Sequence, residues 1–513
     1  MRKTYSVILI LLLLWPALNG CRKRFDYRPA AGEFETGTDT LFLDSVFTGL
    51  SSPTYYFKIY NRSNHHIYIP EIRLERGAAS FFRLNIDGVP GKQFRRVEIP
   101  AHDSIYVFAE LTADISQMTD PVYEEYLLLR DNRVTKKVLL AAFVKDAYFM
   151  YPRRYGRHRV DSITIGRDAD GNPVRVAGFL IPHDTTLTAG KAIVIYGHLG
   201  VPEGVTLRIT EGAHLYFHYN SGIVVYEGGR IDIRGTRERP VILEDDRMQP
   251  AYDRAPGMWN FIWMQEGSEG NLIDYAIIRN AVAGLIVYPP ADEDHTALRL
   301  TNTQIYDCSA YGIFAAATNI YGHNLVINNT GSSALRVALG GRYDFRHCTF
   351  ANYQPLRGLQ DAAVFVTNYY DAYDDNGQPV RYVHPLRGFD LTNSIVYGNQ
   401  AVEFLVDADT SAPCRFRTAH SLLKFSDPQH RINARCMDWD DPQRFDAVRL
   451  NLAPGFASPT DNDLHISAQG AATGLGDPGI AASVPYDLDG NPRLPHPDAG
   501  AYQHSEEETF SNR

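Results

Sequence analysis

Cysteine is scarce in this chain, with five residues among 513, at positions 21, 308, 348, 414 and 436. So few, and so far apart, they exclude a disulfide-stapled scaffold, and none of their spacings fits a zinc site or thiol catalysis. Long apolar runs are missing too. After residues 7–15 no stretch approaches the roughly 20 residues that a membrane-crossing helix needs. Basic charge is in deficit, with 50 Lys and Arg against 60 Asp and Glu for a net charge of −10. Lacking a basic stripe, the chain is a poor partner for nucleic acid. No extended Ala/Glu/Lys/Leu segment with a 3.6-residue period occurs, which argues against a helical bundle.

What is plentiful is glycine (40), tyrosine (31) and phenylalanine (25). Ile193-Val194-Ile195-Tyr196, Val205-Thr206-Leu207-Arg208-Ile209, Ile223-Val224-Val225-Tyr226 and Val241-Ile242-Leu243 follow one another, separated by Gly197, Gly212, Gly228-Gly229 and Gly235. Short apolar runs closed by glycine or polar pairs predict strands joined by tight turns. Further on, Gly284-Leu285-Ile286-Val287, Gly312-Ile313-Phe314-Ala315 and Ala334-Leu335-Arg336-Val337 recur at steps of 28 and 22 residues. A period in that range marks a solenoid, whose coils bury their apolar faces only by stacking on one another. The expected fold is all-β, with a parallel β-helix over residues 191–425.

Gly204-Val205-Thr206-Leu207, Pro240-Val241-Ile242-Leu243, Pro256-Gly257-Met258-Trp259 and the run Gly341-Arg342-Tyr343-Asp344-Phe345-Arg346-His347-Cys348-Thr349 resemble the right-handed parallel β-helix (pectin-lyase-like) lipoproteins of Bacteroidetes-type bacteria. Asn451-Leu452-Ala453-Pro454-Gly455-Phe456, Asp487-Leu488-Asp489-Gly490-Asn491 and Asp498-Ala499-Gly500-Ala501-Tyr502 resemble a choice-of-anchor Q type C-terminal region. The resemblance implies a fold that hosts lyases, hydrolases, adhesins and plain scaffolds, and so implies no single activity.

The amino end carries a second resemblance. Arg2 and Lys3 precede the short apolar run, which ends in Leu18-Asn19-Gly20-Cys21. This reads as a secretory signal over residues 1–20, and its ending resembles the bacterial lipoprotein box. The resemblance implies diacylation of Cys21, a membrane anchor and an outer-membrane location, with either face open. Residues 21–38 are expected to be a polar tether. Residues 39–147 hold about seven short alternating strands, which suit an immunoglobulin-like β-sandwich. Residues 148–190 are expected to link and cap the helix, residues 426–505 to cap its far end, and residues 506–513 to be disordered.

Enzymes of the pectin-lyase-like fold use an Asp cluster holding Ca²⁺, or paired carboxylates on adjacent coils. Neither pattern is present. Gly322-His323-Asn324 lacks a second glycine, and Asp245-Asp246 and Asp374-Asp375 stand alone, so no catalytic residue is assigned. Asp168-Ala169-Asp170-Gly171-Asn172 and Asp487-Leu488-Asp489-Gly490-Asn491 could offer oxygens to Ca²⁺, but the same residues build ordinary turns, the favoured reading, and no cofactor or metal ligand is assigned. Two patches stand out as candidate ligand sites. Trp259, Phe261 and Trp263 alternate, forming a sugar-stacking platform if outward and core if inward. The insertion between Thr367 and His384 carries Tyr369, Tyr370, Asp371, Tyr373, Asp374 and Asp375, residue types suited to a glycan or partner site. Cys414 and Cys436 are about one coil apart and form a candidate disulfide. The expected function is a lipid-anchored envelope protein that presents a rigid β-helix to a polysaccharide or an envelope protein without catalysis. A polysaccharide lyase or glycoside hydrolase is the alternative.

Overall fold

The structure is a computed structural model, and it describes residues 26–156, 159–168, 170–354, 362–374, 377–429, 432 and 436–504. The signal segment, Cys21, Asp375 and the terminal residues 506–513 lie outside the described residues. The chain is nearly all β and divides into two compact units, residues 1–146 and 147–513.

The first unit holds a six-stranded and a five-stranded sheet. Strict alternation builds it. Along Ser104–Leu111, Ile105, Val107, Ala109 and Leu111 are buried while the residues between them face outward. Inward residues of both sheets, among them Leu43, Ile72, Leu127 and Leu140 of one and Ile59, Phe82 and Val107 of the other, share one core. The expected tether is corrected here. Arg28–Pro29 pairs in parallel with Ile67 and Tyr68, and Glu35–Thr36 pairs with Tyr60 and Ile59. Ala30 and Phe34 are fully buried, so this segment is held by the core its apolar side chains enter.

The second unit is built from long parallel ladders, an arrangement compatible with a β-helix-like fold. An eleven-stranded ladder runs from Ala147–Met150 through His214–Phe217, Ala276–Arg279 and Val326–Thr330 to Arg449–Leu450. Two further ladders are joined where Tyr311–His323 and Leu335–Arg346 run through both. Leu285 pairs with Ile313 and Ile313 with Leu335, the equivalence that the sequence spacing implies. Inward Ile, Leu, Val and Phe from successive strands make one continuous core.

Turns into the eleven-stranded ladder demand positive φ. Asn302, Asn324, His347, Asn393 and His420 occupy equivalent turns at φ between 48° and 51°. A side chain that hydrogen-bonds locally tolerates that conformation best. Asn324 Nδ2 donates to Asn302 Oδ1 (2.9 Å), and Asn393 lies 3.0 Å from His347 Nε2.

Two expected boundaries shift. Residues 148–190 are not a separate link, because Ala147–Met150 pairs in parallel with Ala192–Ile195 and starts the ladder. The coils also continue past residue 425, with Thr418 paired to Phe445 and Leu422 to Arg449. The C-terminal segment folds back along the outer face of the eleven-stranded ladder, packing Leu464, Leu488 and Tyr502 on Tyr306 and Val326, and Ile466 and Leu475 on Ile395 and Leu422. Outward apolar residues on those coils require this cover.

Candidate functional site

The site grows from one outward row of the second unit. Trp263, Ile286, Phe314, Arg336, Phe365 and Leu405 are successive register partners on six coils. Their strand neighbours Ile262, Met264, Leu285, Val287, Val364 and Val366 are fully buried. The pleat therefore points this row away from the core, where it remains half-buried. Adjacent coils lie about 4.8 Å apart, so Trp263, Phe314 and Phe365, on alternate coils, are spaced by about 10 Å. The Arg336 guanidinium lies 3.9 Å over the Phe365 ring.

The rim beside Trp263 is aromatic. Phe261 and Tyr288 each meet it edge to face at 5.7 Å. Its indole N–H is buried and has no acceptor among the described residues. Trp259 does not belong to this platform. It is fully buried, stacks on Phe217 at 4.2 Å and donates its indole N–H to the Arg279 carbonyl (2.8 Å). The alternation fails there because Trp259 bridges Ala281 before the strand Ile262–Met264 begins, and the intervening residues break the pleat.

The insertion after Thr367 is an antiparallel hairpin, Tyr369–Tyr373 against Pro379–Val383. Tyr370 faces Tyr382 directly across it, and both are exposed, as is Tyr373. The other candidates in the hairpin serve its construction. Tyr369 donates to Asp407 and lies under Arg381, which holds Asp371 through hydrogen bonds of 2.6 and 2.8 Å. Asp374 accepts the Gln378 amide at the hairpin turn. The hairpin stands against the strand Leu335–Arg346. Burial, and then Tyr370, raise the Tyr288 phenol above its ordinary value, so Tyr288, which also meets Trp263, is influenced by both patches. That residue was legible only as the position following the Gly284–Val287 run.

A second cluster lies on the eleven-stranded ladder. Glu244 accepts His214 Nε2 at 2.6 Å and is paired with Arg279, while Tyr216 bonds His214 Nδ1 at 3.1 Å. Burial works against the Glu244 charge, yet the His214 hydrogen bond and the Arg279 charge hold its carboxyl below the usual range. Burial pushes the neighbouring Asp245 up to about 6. Consecutive residues of one strand point to opposite faces, so the two carboxyls do not form an acid–base pair. His323 is lowered to about 4 by burial and by the Arg299 charge, and its neighbour Asn324 belongs to the turn row.

The two Asp-x-Asp-Gly-Asn segments are turns whose first aspartate accepts local amides, Asp168 from Asp170 and Asn172, and Asp487 from Asn491 and Gln503. Cys308 and Cys348 are buried in the core, where burial raises both thiols to about 12. Cys414 and Cys436 are free thiols in hydrogen-bond contact with one another. No family model matches the chain, and no curated protein matches it.

Proposed function

We propose that this chain is a lipid-anchored cell-envelope protein whose second unit is a right-handed parallel β-helix of the pectin-lyase-like type and binds an extended glycan without catalysis. The outward row from Trp263 to Leu405 carries the reading. Aromatic faces at about 10 Å intervals match a linear glycan, which turns an apolar ring face outward at a regular period. In this reading the first unit is an immunoglobulin-like sandwich, and the chain is held to a membrane through Cys21.

Electrophoresis of the full chain through gels containing neutral and acidic polysaccharides tests the binding. Retardation by at least one polymer is expected, weakened in Trp263→Ala and Tyr370→Ala. Free migration in every gel, or equal retardation of the variants, overturns it. Labelled fatty acid should attach to the wild type and not to Cys21→Ala.

The His214–Glu244–Arg279 cluster favours one second reading, a polysaccharide lyase or glycoside hydrolase. It requires product release from a polysaccharide panel, lost in Glu244→Gln.

A further inference from the structure

The strands Tyr55–Tyr60 and Ser104–Leu111 of the first unit are apolar on both faces, although only one face has a core. Phe57, Ile59, Ile105 and Val107 point inward and are buried. Tyr56, Tyr106 and Phe108 point outward, and Tyr56 and Tyr106 are 58% and 40% exposed. The outer face of an antiparallel sheet is normally polar, so folding does not account for these rings.

Their geometry is ordered. Tyr56 pairs directly with Phe108, and Lys58 with Tyr106. Tyr106 and Phe108 lie 5.5 Å apart with planes only 11° from parallel, and Tyr56 meets them at 63° and 55°. Nearly parallel planes at that separation are stacked on one another, so the shelf left for a sugar ring is Tyr56, the more exposed ring, standing across the stacked pair. One border is a pre-set polar network in which Arg83 donates to Ser51, Thr112 and Glu110, and Thr54 donates to Glu110.

At the other border stands Lys58, whose ammonium lies 4.4 Å from the Tyr106 ring centre. Among the described residues no carboxylate comes within ion-pair distance of it. A cation on an aromatic shelf with no carboxylate beside it selects a ligand that brings its own anion.

We infer that the Tyr56–Tyr106–Phe108 shelf with Lys58 binds a saccharide carrying an anionic substituent, a carboxylate or a sulfate. The apolar face of the sugar stacks on Tyr56, its anion meets Lys58, and its hydroxyls meet the Arg83–Glu110 border. This surface is independent of the Trp263 row and would give the protein a second point of attachment.

Calorimetric titration of the full chain with three tetrasaccharides tests it: one sulfated, one containing uronate, one neutral. Binding of the sulfated or the uronate ligand is expected, and which of them binds identifies the anion. Affinity should fall about tenfold in Tyr56→Ala and in Lys58→Gln. Trp263→Ala should leave it unchanged, which separates this surface from the glycan row. Binding of neither anionic ligand, unchanged affinity in Tyr56→Ala and Lys58→Gln, or loss only in Trp263→Ala overturns the inference. So does a concentration-dependent dimer that Tyr56→Ala dissolves, since the shelf would then be covered by a second copy.

Discussion

The Tyr369 hydroxyl donates a 2.6 Å hydrogen bond to the Asp407 carboxylate, pinning the hairpin insertion to a coil whose strand lies 38 residues further along the chain. Burial and that bond raise the Tyr369 phenol to about 12. Tyr369→Phe keeps the ring under Arg381 and removes only this bond, which should cost about 1–2 kcal/mol. Hydrogen exchange should accelerate in Tyr369–Tyr373 and Pro379–Val383 and stay unchanged in Leu335–Arg346. Uniform exchange in both proteins would remove Tyr369 as the anchor.

The two tryptophans near the rim should respond in opposite ways. Trp259 fills the core against Phe217, so Trp259→Ala should cost about 3–5 kcal/mol in chemical denaturation. Trp263 is half-buried and outward, so Trp263→Ala should cost far less stability while weakening glycan retardation. Equal destabilisation by the two would mean that both rings are core.

Much of this was legible in the sequence because a coil leaves a local signature. Inward β-branched residues alternate with outward ones, and glycine closes the turn, so Leu285, Ile313 and Leu335 align by spacing alone. What local pattern cannot show is which way a residue points once the pleat is interrupted, and Trp259 is such a case. Nor can it show contacts between distant segments. Asn462 accepts hydrogen bonds from both Asn328 and Asn329, and this docking of the C-terminal segment joins positions more than 130 residues apart. The influence of Tyr370 on Tyr288 is hidden for the same reason. Polar residues 28–38 read as a tether because one buried phenylalanine, Phe34, is a weak signal against a background of charge.

Docking of the C-terminal segment should depend on alkaline pH. His465 lies between Asp463 (2.6 Å) and Asp489 (2.9 Å) and stacks on Tyr502 at 3.9 Å. The Asp489 hydrogen bond outweighs partial burial and raises His465 from 6.5 to about 9. A folded-state pKa above the unfolded one gives stabilisation that is complete below 6.5 and lost as pH rises through about 9. Melting of the wild type should therefore fall across that window, and His465→Gln should lose this component of the fall. Parallel curves for the two proteins would show that His465 is not the titrating group.

The last prediction concerns Cys414 and Cys436. Both are free thiols packed into the same core, beside Arg444, which donates to the Cys436 carbonyl. Two neighbouring free thiols are the starting point for disulfide formation once an oxidant is present. Closing a loop of this length should add about 3 kcal/mol, provided that the bridge fits the native backbone. Protein matured in an oxidising compartment should lose two protons' mass relative to reduced protein and melt at a higher temperature. Cys414→Ser should abolish both differences, whereas Cys308→Ala should leave them intact, because Cys308 is shut in the core. Equal alkylation of Cys414 and Cys436 in oxidised and reduced samples would refute the bridge.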